Sequence, residues 1–284
     1  MLRFPLAGRR VAAVLLLFTS AGACQDVAHA QGKLDARYTA TLAGVPIGRG
    51  AWVIDIADDQ YTAAASGTTS GLLRVFSDGF GTSAARGLIS AGQLMPGSYS
   101  SSITSGKRTD EVRMALAGGN VKEVAVDPPP SPNPDRVPIT DAHRRGVMDP
   151  MTAALVRVPG NGDLLSADVC QQGTSIFDGR LRYDLKLAFK RMERVKAEKG
   201  YQGPAVVCAV FFSPVAGHVP DRPAIKYLSQ LREMELWLVP VAGTRILVPF
   251  RMSVPTPIGL GVLEATQFVS SPQPARPTTS AKTQ

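Results

Sequence analysis

Asp178, Arg180, Asp184 and His218 are the residues of this 284-residue chain whose types and spacing come nearest to an acid–base centre. Two carboxylates flanking a guanidinium, with an imidazole further along, can in principle move a proton. With Tyr183 they form a candidate binding or structural polar cluster. A simpler use fits the same residues. Asp178-Gly179 is a turn pair, and Arg180 and Asp184 flank Arg182 on what reads as the polar face of a strand, where such side chains form hydrogen-bonded ion networks. The remaining apparatus of catalysis is missing: there is no GxSxG elbow, no HExxH and no Walker loop, and His143 and His218 are too few for a metal hydrolase. The chain reads as non-catalytic, with no metal and no cofactor.

The other reactive side chains are cysteines, and their meaning depends on where the chain works. Arg3, Arg9 and Arg10 precede the apolar run Val11 to Phe18, and Ala28-His29-Ala30 supplies a small-x-small cleavage site. The reading is a signal peptide over residues 1–30, cleaved after Ala30, and a periplasmic protein. Ala21-Gly22-Ala23-Cys24 offers a second, weaker reading as a lipoprotein box. Cleavage after Ala30 discards Cys24 and leaves Cys170 and Cys208 in an oxidising compartment, where a disulfide is expected. No later segment reaches the ~20 apolar residues of a membrane-spanning helix, which predicts a soluble mature chain.

The elements that position these residues read mostly as β. Asp35 to Gly44, Gly50 to Ile56, Tyr61 to Thr68 and Leu94 to Ser102 are short runs punctuated by Gly, Ser, Asp or Pro, the spacing of a meander. In Arg180 to Lys190, Leu181, Tyr183, Leu185, Leu187 and Phe189 alternate with Arg182, Asp184, Lys186 and Lys190. Val206, Cys208, Val210 and Phe212 repeat the alternation, which predicts an antiparallel hairpin. Further strands are expected at Met234 to Val239, Arg245 to Val254 and Gly261 to Val269. Asp149-Pro150 before Met151 to Val158 predicts a short helix with an N-cap and a proline at its first position, and Pro223 to Leu231 a second. Six prolines between Asp127 and Pro138 make an extended loop that carries the chain across the sheet. The expected architecture is mainly β: one domain over 31–270, a single open barrel or β-spiral of antiparallel strands with one or two short helices. Residues 271–284 read as a disordered tail.

With residues 1–30 removed, 28 basic residues stand against 22 acidic ones. Outside the cytoplasm this charge argues against nucleic acid and for anionic envelope material, lipopolysaccharide or peptidoglycan, or another envelope protein. Eight basic and three acidic residues lie between Arg180 and Lys199, so Arg182, Lys186, Lys190, Arg191 and Arg194 form a candidate docking face. A solvated strand face would look the same.

Ile176-Phe177-Asp178-Gly179-Arg180 running into Tyr183-Asp184-Leu185, then Cys208 to His218, then Glu235-Leu236-Trp237-Leu238, Leu247-Val248-Pro249 and Ile258-Gly259, resembles the bacterial domain of unknown function 3108. The resemblance spans most of residues 35 to 269. It implies an exported, β-rich envelope protein with no established reaction, similar in general plan to periplasmic β-spiral proteins that carry a disulfide. Two roles follow as expectations. The first is a non-catalytic part in cell-envelope integrity; the second is a carrier whose β cavity holds a lipid or other apolar molecule.

Overall fold

The computed structural model describes residues 31–69 and 79–273. The predicted signal peptide with Cys24, and the predicted tail from residue 274 onward, lie outside the described residues. In β1 (Gly32–Leu42), Leu34, Ala36 and Tyr38 are buried while Lys33, Asp35 and Arg37 are exposed, the period of two that makes a half-buried strand. The same logic, with weaker residues, continues through β2 (Val45–Ile56), β3 (Gln60–Thr69), β4 (Gly79–Ser90), β5 (Gln93–Ser105), β6 (Arg108–Ala117) and β7 (Asn120–Asp127). After the proline-rich loop come α1 (Pro150–Ala153), β8 (Val156–Arg157), β9 (Gly173–Phe177), β10 (Arg182–Lys196), β11 (Lys199–Gly200) and β12 (Gln202–Ala216). The chain ends in α2 (Pro223–Gln230), β13 (Glu235–Pro240), β14 (Ile246–Thr256) and β15 (Gly259–Pro272).

These strands form one sheet in the order β7-β6-β5-β4-β3-β2-β1-β15-β14-β13-β12-β10-β9, antiparallel along that path. The first and last described strands, β1 and β15, pair in its middle, so the N-terminal and C-terminal halves are continuous. Three hairpins close on two-residue loops, Ala43–Gly44, Ala91–Gly92 and Gly118–Gly119, with both residues of each at positive φ. That is the turn geometry that matches strand twist.

The edge strands β7 and β9 do not pair with each other, and a strap joins them instead. Arg145 bridges Asn120, the Val147 N–H donates to the Gly119 carbonyl, and Met148 exchanges backbone hydrogen bonds with the β9 edge through Ser175 and Phe177. Val112 and Met114 from β6 pack with Val147 of the strap and Phe177 of β9, so the seam has its own apolar core. The sheet is therefore an open barrel strapped at its gap. The proline-rich loop carries the chain to that strap, held to the end of β12 by Val137, whose N–H and carbonyl bond His218 and Gly217.

Three sequence expectations change here. The helix expected over Met151 to Val158 stops at Ala153, because Val156 and Arg157 pair with Leu247 and Ile246 as strand β8. Strand β15 continues to Pro272, paired with Gly32, two residues past the expected domain end. The alternation along β10 holds to Phe189 and then breaks at a bulge: Phe189 faces Cys208 and Arg191 faces Val207, leaving Lys190 unpaired in the ladder.

Candidate functional site

The polar cluster divides into two parts. Asp178 anchors the β9–β10 turn, its Oδ1 accepting the backbone N–H of Arg180 at 2.8 Å and of Leu181 at 2.6 Å. Burial raises its carboxyl pKa against those N–H donors and the nearby Arg180 charge. Arg180 reaches across the seam, donating from Nη2 to Asp110 Oδ1 on β6 at 3.2 Å and to the Asp127 carbonyl at 3.3 Å. Asp184 belongs to a separate ladder, accepting from Ser175 Oγ at 2.7 Å and from Arg182 Nη1 at 2.8 Å. His218 is buried with Nδ1 unpartnered, and it makes no side-chain hydrogen bond to Asp178, Arg180 or Asp184. The arrangement fastens the sheet's two ends together and assembles no acid–base relay among these residues.

The basic strand is largely neutralised. Glu235 on β13 takes Lys190 Nζ at 2.5 Å and both terminal nitrogens of Arg191 at 3.0 Å, and Arg191 also pairs with Glu193. The Arg191 hydrogen bonds, with help from Lys190, hold the Glu235 pKa down at about 2 against its own burial. The guanidiniums of Arg191 and Arg251 lie 5.5 and 4.7 Å from the ring centroid of buried Trp237, within cation–π range. Arg182 is paired with Asp184, leaving Lys186 and Arg194 without ion pairs among the described residues. The bulge places these two on opposite faces: Lys186 shares the side of Phe211 and Val207, Arg194 that of Pro204 and Val206. The predicted docking face is thus not one surface.

The predicted disulfide is present. Cys170 and Cys208 are bonded with their Cα atoms 5.5 Å apart, fully buried among Val206, Leu238 and Leu247. It pins the loop following β8 onto β12, which buries side chains on both of its faces.

That loop walls one apolar chamber and the α1 segment lines it and a second, neither of which sequence reasoning located. The first, about 730 Å³, lies between the segment 148–172 and the strands carrying Tyr183, Leu185, Leu187, Val210 and Leu236. The second, about 720 Å³, is lined by Tyr38, Trp52, Phe80, Ile103 and Leu263 among others. Ala154, Pro249 and Met252 line both, Pro150 and Ala153 face the first, and Met151 faces the second, so α1 is a partition between them. The partition is fixed by a buried knot. Asp149, fully buried at the N-cap, accepts the Thr152 N–H at 2.9 Å and the Thr152 hydroxyl at 2.6 Å, and Thr152 Oγ1 meets the Tyr61 hydroxyl at 2.7 Å. Desolvation raises the Asp149 pKa despite these bonds. The Asp149-Pro150 signal foretold the cap; nothing in it foretold that the cap would be buried inside a barrel. Both volumes fall in the range of small-molecule sites.

Comparison with known proteins gives a family and little more. The family described as Protein of unknown function (DUF3108) matches residues 37–266. Among solved structures, the chain is similar to the crystal structure of a beta-barrel-like protein of domain of unknown function DUF1849 from Brucella abortus. The identity is 9%, the TM-score 0.47, and the match covers 86% of this chain and 98% of that one. No curated protein matches. No helix among the described residues is long and apolar enough to cross a membrane.

Proposed function

Since the chain belongs to the DUF3108 family of unknown function, we propose from its own geometry that it is a non-catalytic carrier that holds an apolar molecule in the two chambers flanking α1. The observation that carries this reading is the pair of large apolar spaces inside a strapped sheet, partitioned by a helix that shares its Ala154 wall with both. Apolar surface left open to water costs about 25 cal/mol per Å², and a ligand that covers it recovers that free energy. The buried disulfide supports work in an oxidising compartment such as the cell envelope. A contribution to envelope integrity then follows from what is carried rather than from docking through β10, where Arg182, Lys190 and Arg191 are already paired.

N-phenyl-1-naphthylamine, which fluoresces on entering an apolar site, tests the reading directly. The wild-type protein should bind it saturably. Ala154→Trp, which fills the wall common to both chambers, should abolish or strongly weaken the signal while circular dichroism stays unchanged. Absence of saturable binding in the oxidised wild type sinks the carrier reading, and so does full binding by a folded Ala154→Trp variant.

A further inference from the structure

We infer that the first chamber takes a single-chain anionic amphiphile, with Arg157 as the anchor for its charged end; this rests on the carrier reading and gives it a ligand class. Arg157 sits on β8 at the chamber wall, where its side chain lies against Gly92 in the β4–β5 turn, close enough that a side chain at Gly92 would overlap its Nη2. Its backbone is held twice over. It is in the β8–β14 ladder opposite Ile246, and its carbonyl accepts Gln172 Nε2 at 3.1 Å. Its guanidinium, in contrast, makes no hydrogen bond and no ion pair among the described residues. Half-buried guanidiniums elsewhere in the molecule are used: Arg180 and Arg182 bind carboxylates, and Arg245 donates to the carbonyls of Val158 and Gly162. A positioned, unpaired guanidinium beside an apolar chamber is a donor fork waiting for an anion.

Two carboxylates share that wall, and neither competes. Asp163 is exposed and accepts the Leu165 N–H, while Asp168 is exposed and accepts Gln171 Nε2. In solvent their fields at Arg157 are screened.

The chamber's length fits a chain rather than a compact ring. Gln172, whose side chain holds the Arg157 backbone carbonyl, also accepts the Leu187 N–H through its own carbonyl at 2.9 Å, so strand β8 is tied to β10 at Leu187. Four residues along β10, about 13 Å at the rise of a strand, Tyr183 also lines the chamber, with Leu185, Val210 and Leu236 in the wall as well. An acyl chain laid along β10 toward Tyr183 would meet Leu187, Leu185, Val210 and Leu236, with Gln172 and Thr174 at its side, and would be anchored at one end by charge.

Competition against N-phenyl-1-naphthylamine tests this with dodecanoate and dodecanol, which have the same chain and differ in the charge of the head. For the wild type, dodecanoate should displace the dye about tenfold more effectively than dodecanol, the low end for a hydrogen bond to a charged group. In Arg157→Gln the two ligands should become equal within about twofold, with dodecanol unchanged, and Arg157→Lys should keep part of the preference. Equal displacement by acid and alcohol in the wild type overturns the anchor and leaves the carrier intact. Equal weakening of both ligands in Arg157→Gln overturns it too, since that is loss of shape and not of charge recognition. If the dye itself does not bind, the carrier reading has failed first.

Discussion

Asp149→Ala should loosen the partition between the chambers, and its effect is calculable from the knot at the head of α1. The substitution removes the acceptor for the Thr152 N–H, which for an N-cap costs about 0.5–2 kcal/mol. It also strands the Thr152 hydroxyl, a buried donor left with only Tyr61 near it, at a further 1–3 kcal/mol or so. The sum is about 1.5–5 kcal/mol, which for a chain of this size lowers Tm by roughly 3–20 °C. Asp149→Asn keeps Oδ1 as the cap acceptor but puts an amide donor where Oδ2 accepted the Thr152 hydroxyl, which must then turn to Tyr61, so it should cost less than alanine, about 1–2 kcal/mol. The two variants also separate charge from geometry. Burial raises the Asp149 pKa, so the folded chain holds that proton more tightly than the unfolded one, and the ionised form is a burden that grows as pH rises above the ordinary carboxylate range. Asparagine carries no such burden, so the Asn variant should gain on wild type as pH rises above the ordinary carboxylate value of 3.8. Urea unfolding of the oxidised proteins, with unchanged m-values, measures all of this. An alanine variant within about 0.5 kcal/mol of wild type, or an asparagine variant as damaged as alanine, would refute the assignment of the knot.

Three further outcomes are expected. Reducing the Cys170–Cys208 bond, which closes a separation of 38 residues, should lower stability by about 4 kcal/mol on the chain-entropy estimate; an unchanged urea midpoint under dithiothreitol contradicts it. Glu235→Gln should cost about 1–2 kcal/mol at neutral pH, discounted because Lys190 and Arg191 are partly solvated. Because the Glu235 pKa is depressed, that difference should persist above its unfolded value of 4.5 and vanish as pH falls to about 2; a cost that does not change with pH rules out the ion pair as its source. Gly87→Ala should destabilise by about 1–3 kcal/mol, since a Cβ there overlaps the Met95 carbonyl and comes within 2.5 Å of the Tyr61 hydroxyl. Tyr61→Phe should not rescue that loss, because the Met95 carbonyl and the ring edge remain in the way, and a neutral Gly87→Ala would deny the close approach.

The β10–β12 hairpin was legible because large apolar residues alternate with Arg182, Asp184 and Lys186 along β10, and the disulfide because compartment and cysteine parity leave one pair. Strand β4 was not legible: Gly-Phe-Gly-Thr-Ser-Ala-Ala-Arg-Gly has little apolar contrast, and its hairpin turns on Ala91–Gly92 rather than on an Asn-Gly or Asp-Gly pair. The length of α1 was overestimated because Val156 and Val158 continue the apolar spacing, but the open edge of β14 offers Val156 a ladder that helix geometry cannot match. An ion network at the Asp178-Gly179 turn was readable from residue types, but its partner was not: Arg180 spans 70 residues of sequence to reach Asp110 and clamp the seam. Such a use is invisible until the topology is known. The chambers were illegible for the same reason, since the first combines Leu94 of β5 with Ile176 of β9 and Tyr183 of β10, strands near opposite ends of the sheet.

Native mass spectrometry of the protein released gently from the cell envelope tests the central claim most directly. The account predicts a population heavier than the polypeptide by a defined, reproducible mass, lost on activation in the gas phase and restored by incubation with dodecanoate, and absent from Ala154→Trp. A single peak at the polypeptide mass that no acyl probe shifts would contradict it.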